Sequence, residues 1–174
     1  MHRRIALLAA LTVLAGPATG SARPQGAVSP SGSVQAALVQ QMNALRAARG
    51  LSRLRLSPAL NAAAAAHSTQ MARMGYFSHN SANGQSFSQR VASYYPPRGY
   101  RSWTVGENLV YGSPDLGAAR ALRLWLSSPP HRANLLNPHW HELGLSAVHA
   151  TSAPGVYGGS PATIVTADFG ARSR

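Results

Sequence analysis

In the stretch SVQAALVQQMNALRAARG, Val34, Leu38, Met42 and Leu45 recur at helical spacing, with Gln and Arg between them and Gly50 at the end. That spacing lays an apolar stripe along a helix, and the stripe needs a partner surface. A second run follows. Ser57 offers a side-chain oxygen to free helical N–H groups, Pro58 suits the first helical position, and LNAAAAAHSTQMARM continues to Gly75. Leu60, Ala64, His67, Met71 and Met74 share one stripe, so His67 reads as a core-facing histidine with a local hydrogen bond. SFSQRVASY is a candidate third helix. Ser113-Pro114-Asp115 repeats the cap-then-proline signal ahead of LGAARALRLWLS, and SSPPHRANLLNP begins one more turn that stops at Pro138. Strand patterns come mostly late, as WTVGENLVY, ELGLSAVHA and ATIVTADFG, the first interrupted by Gly106. Helices first and strands late predict an α+β domain with an antiparallel sheet.

The front of the chain reads differently. MHRR, the apolar IALLAALTVLAG and the small-residue run PATGSA have the layout of a secretory signal peptide over residues 1–22, with cleavage fitting after Gly20 or Ala22. An uncleaved anchor is the alternative. Residues 23–32 read as a flexible linker, 33–170 as the domain and 171–174 as a C-terminal tail. The expectation is a soluble protein outside the cytoplasm. With no cysteine in the chain, its stability comes from packing, and thiolate metal sites and thiol nucleophiles are excluded.

All sixteen basic residues are arginine, against four acids. Such a balance favours anionic polymers or membrane surfaces. The arginines are scattered, however, so a solvated basic surface is expected, with no specific nucleic-acid binding.

Glu107 is one of the four acids, set in the apolar run TVGENLVYG with no arginine near it in sequence. Three histidine settings accompany it: His79 in FSHNSANG, His131 in SSPPHRANLL, and His139 with His141 in HWH. Alternate residues of an extended segment point the same way, but two imidazoles fill only half of a four-coordinate zinc shell. An exposed loop explains HWH equally well. YYPPRGYRSW, residues 94–103, reads as an insertion packing its aromatics on the sheet, with contact to an anionic or glycan surface as the alternative.

YFSH at 76–79, GENLVYG at 106–112, WLSSPPHRANLLNP at 125–138 and DFG at 168–170, in that order, resemble the CAP superfamily: the cysteine-rich secretory, antigen 5 and pathogenesis-related 1 proteins, here in a short bacterial secreted form. The resemblance implies a three-layer α-β-α sandwich, a central antiparallel sheet flanked by helices. It also implies a cleft of two histidines and two glutamates that in some relatives holds a divalent metal, zinc foremost. His79, His131 and Glu107 match three of these positions. The second glutamate has no counterpart, since Ser127 and Ser128 stand at the helix end in question.

Glu107 is thereby expected to face imidazoles and not arginines. It is read as orienting a histidine and pinning the cleft, as a metal ligand, or as the catalytic base if the protein is a protease-like, metal-assisted hydrolase. Asn108 and Asn134 read as structural. The expected function is binding of a divalent metal or small ligand in the cleft. The alternatives are the hydrolase and a module for anionic cell-envelope polymers or lipid.

Overall fold

The computed structural model describes residues 26–174; the proposed signal peptide and the first residues of the linker lie outside that range. Among the described residues the order is β1 (Val28–Pro30), α1 (Gly32–Ala48), β2 (Arg55–Leu56), α2 (Pro58–Met74), α3 (Phe87–Tyr94), β3 (Ser102–Gly112), α4 (Ala118–Ser127), α5 (Pro129–Leu136), β4 (Glu142–Ala150) and β5 (Ala162–Ser173). The strands form one sheet in the order β1-β4-β5-β3. Pairing is antiparallel throughout, except that the two-residue β2 runs parallel to the start of β4.

Alternation along β5 divides the core. Val165, Ala167 and Phe169 pack with Leu38, Met42 and Trp125 from α1 and α4. Ile164 packs with Met71 of α2, and Leu60 of α2 joins Val91 of α3 and Tyr95 on the same side of the sheet. Helices thus cover both faces, and the expected α-β-α sandwich is what the chain forms.

Local signals act as expected in α2. Ser57 Oγ accepts from Leu60 N at 3.5 Å, and Gly75 closes the helix in the left-handed region. Gly144 explains how closely α2 lies on the sheet: a Cβ there would stand 2.0 Å from the Leu60 carbonyl carbon. Gly106 marks a close approach without a bulge, because the Trp140 ring fills the space where its Cβ would be and the register to β5 is unbroken.

Several expectations are corrected. Val28–Pro30, assigned to the flexible linker, pairs with β4, and β5 runs on to Ser173 through most of the presumed tail. Met74 is exposed, while Arg46, not Leu45, joins Leu38 and Met42 on the buried face of α1. Its guanidinium donates to the carbonyls of Ser52, Leu135 and Asn137 at 2.9–3.0 Å, so this arginine ties α1 to the end of α5. Ser113 does not cap α4; Gly117 stands at that position and Ser113 Oγ donates to Pro161 O at 2.7 Å. No described helix is long and apolar enough to cross a membrane.

Gly144→Ala is expected to cost about 2 kcal/mol or more by forcing α2 off the sheet. Urea denaturation checks this, and a variant as stable as wild type would show that the helix can shift at no cost.

Candidate functional site

The site is built around Glu107 on β3, the edge strand, where the register sets it opposite Asp168 of β5. Its side chain is only 1% exposed. A carboxylate so buried needs donors on both oxygens. His79 Nδ1 lies 2.8 Å from Oε1, and because a carboxylate only accepts, Nδ1 carries the hydrogen. The Arg90 Nη2 group donates to Oε2.

Arg90 comes from α3, whose start is secured by a capping box of Ser86 and Gln89. Its Nη1 also donates to His79 O at 2.9 Å and to Ser81 Oγ at 3.1 Å. One guanidinium therefore holds the carboxylate and the backbone of the loop that carries His79. The expectation that Glu107 faces imidazoles and not arginines is corrected: it faces one of each.

Asp168 is fully buried, and neither of its oxygens meets an N–H or O–H donor. Burial first, then the adjacent Glu107 carboxylate, push its carboxyl well above the ordinary range. That shift favours the uncharged acid, the form that sets no second anion beside Glu107. His67 is buried on α2 as expected, with Nε2 donating to Ser78 O at 2.9 Å. Burial lowers its pKa to about 4, so the ring is neutral.

His131 arrives from the other helical layer. Asn108 Nδ2 donates to His131 O at 3.0 Å, and Asn134 Nδ2 donates to Glu107 O at 3.2 Å and to Asn108 Oδ1 at 3.0 Å. These bonds of the two asparagines fasten the start of α5 to β3. The His131 ring pairs through Nδ1 with Ser128 Oγ at 2.8 Å. Burial lowers its pKa, and the nearby His79 adds to the effect, which keeps the imidazole neutral. Beside it a cavity of about 260 Å³ is walled by Phe77, Leu109, Tyr111, Leu124 and Trp125.

The structure thus joins His79 to Glu107 and brings His131 to the same strand. Among the described residues, no three His, Asp or Glu side chains are arranged to hold a metal ion. Both Glu107 oxygens are committed, so a three-ligand centre of His79, His131 and Glu107 does not fit. The two Nε2 atoms are left. His139 and His141 are exposed and line a different cavity. Arg90 and Asp168 went unnoticed in the sequence. Asp168 lay within the DFG landmark, and Arg90 had no signal beyond its place on the α3 pattern.

Residues 39–169 match the model of the CAP family, the cysteine-rich secretory protein family, and the chain belongs to that family although it has no cysteine. It is 30% identical over 115 residues to the uncharacterized protein YkwD of Bacillus subtilis, covering 66% of this chain and 42% of that protein. Among solved structures it is similar to an extracellular protein containing a SCP domain from Bacillus anthracis, with 26% identity and a TM-score of 0.61 over 83% of this chain and 41% of that one. The chain therefore spans under half the length of these two relatives. An outer surface protein from Borrelia burgdorferi shares the fold at 20% identity and a TM-score of 0.69, covering 85% of this chain and 99% of that one.

Two outcomes follow from this geometry. Arg90→Met strands a buried carboxylate and should cost about 3–5 kcal/mol in urea denaturation; a loss below about 1 kcal/mol would show that Glu107 does not depend on the pair. For His67, the unfolded chain takes a proton between pH 6.5 and about 4 that the folded ring refuses. Its contribution to stability is therefore lost as pH falls through that window, by up to about 3 kcal/mol. His67→Gln, compared with wild type by denaturation at neutral and mildly acidic pH, should lose less stability on acidification. Parallel losses would acquit His67.

Proposed function

We propose that the protein acts outside the cytoplasm as a non-catalytic binding protein, whose cleft offers two imidazoles to an electron-pair acceptor. That acceptor is a divalent metal ion, zinc foremost, or the N–H or O–H of a small ligand. The observation that carries the reading is the His79–Glu107 bond. With Nδ1 given to the carboxylate, Nε2 is the ring nitrogen left to meet a ligand, on a side chain that is 51% exposed. An imidazole oriented in this way is the usual arrangement behind a metal-binding or hydrogen-bond-accepting histidine. His131, neutral and half-buried, supplies the second ring, and the apolar cavity beside it gives a small ligand a wall to rest on. A zinc ion would be held by the two Nε2 atoms, with water or ligand completing its shell.

The hydrolase reading loses support at Glu107. A general base must reach the proton it takes, whereas this carboxylate is buried and bonded to Arg90 and His79. Its role here is to hold His79. Placement outside the cytoplasm is supported by the leader pattern of residues 1–22 and by the extracellular relative from Bacillus anthracis.

Calorimetric titration of zinc into the metal-stripped protein near neutral pH tests the metal form of this reading. Stoichiometric binding is expected, and the His79→Ala/His131→Ala double variant should lose it. Equal binding by both proteins would place the metal elsewhere. No binding by wild type would confine the cleft to hydrogen-bonding ligands.

A further inference from the structure

Two stretches that the cleft leaves unused, HWH and YYPPRGYRSW, meet where β3 begins and β5 finishes. There a cavity of about 250 Å³ is lined by Ser102, Thr104, His139, His141, Arg172 and Ser173. Trp140 is buried and stacked on Phe169 at 6.0 Å between centroids, which anchors the segment. The residues on either side of it, His139 and His141, are exposed and line the same cavity.

Arg172 is held in place before any ligand arrives. Its guanidinium carbon sits 3.8 Å from the centroid of the Tyr95 ring and 4.4 Å from that of Tyr100. Its Nε lies 3.7 Å from Glu142 Oε2. Glu142, the carboxylate that Arg172 meets, is already occupied: the Tyr95 hydroxyl donates to it, and Arg55 approaches it at 4.0 Å. Among the described residues, no Asp or Glu lines the cavity itself. The wall therefore combines a fixed guanidinium, two imidazoles and three hydroxyls. A guanidinium opposes a metal cation at the His-Trp-His pair and favours an anion with several acceptor oxygens.

We propose that this cavity binds the phosphate group of a soluble phosphodiester chain, on Arg172, His139 and His141, with the hydroxyls of Ser102 and Thr104 completing the contact. A bilayer headgroup carries the same chemistry but fits less well, because none of the large exposed apolar side chains (Leu56, Met74, Tyr94, Tyr111, Leu124, Val156) lines this cavity. The site is separate from the His79–Glu107 cleft and does not depend on the reading of that cleft.

The test titrates an oligo(glycerol phosphate) into the full chain by calorimetry at about 0.15 M salt, where diffuse surface attraction is screened. Wild type is compared with Arg172→Gln, with His139→Gln/His141→Gln, and with Arg123→Gln as an exposed control that removes an equal charge outside the cavity. Losing the guanidinium contact should weaken binding about tenfold or more in Arg172→Gln, and losing the imidazole hydrogen bonds should weaken it clearly in the double histidine variant. The control should bind like wild type. The double histidine variant changes only exposed side chains and decides the matter if Arg172→Gln fails to fold. Equal affinity in all four proteins, or no binding by any, would overturn the proposal. Binding to phosphatidylglycerol vesicles without binding to the soluble chain would overturn it in favour of a membrane surface.

Discussion

A carboxylate buried on an edge strand has to be neutralised, and the pairing of Glu107 with Arg90 does this while joining three elements. Glu107 belongs to β3, Arg90 to α3, and the carbonyl that Arg90 also holds belongs to the loop after α2. Removing two charges from water costs several kcal/mol, so such a pair adds little net stability over an apolar substitute. What it does supply is position. His79 is fixed where both its ring nitrogen and its backbone oxygen are bonded, and the raised carboxyl of Asp168 disfavours a second anion behind Glu107.

The edge of β3 raises a second problem, since an uncovered edge invites another strand. Here the helices answer it with side chains. Trp125 Nε1 donates to Leu109 O at 3.0 Å and Asn134 Nδ2 donates to Glu107 O, so two edge carbonyls are satisfied from α4 and α5. The same bonds bring His131 to the strand that carries Glu107. Protection of the edge and assembly of the cleft are therefore one arrangement.

Much of this was legible in the sequence wherever a residue acts on its own neighbours. Ser57 and Gly75 bound α2 because capping and left-handed closure are local events. The stripe through Leu60, Ala64, His67 and Met71 was readable because helical periodicity is local too. The failures share a cause. Ser113 carried a cap signal but found Pro161, 48 residues away, and Val28–Pro30 looked like linker until β4 offered it a partner. Arg46 and Arg90 looked like surface charge because nothing local reveals that carbonyls and a carboxylate wait across the fold.

The sequence by itself determined the bounds of α2, the order of the long helices and strands, the need for a packed core without disulfides, and membership of the CAP family through four ordered motifs. It also named His79, His131 and Glu107 as residues to watch. Only the tertiary structure decided which groups they face. The 107–168 register sets two carboxyls side by side, α3 delivers a guanidinium from seventeen residues away, and Glu107 comes to be bonded to both an arginine and a histidine. Charge neutralisation in a low-dielectric interior depends on which groups the packing brings within a few ångströms, and linear spacing does not encode that distance.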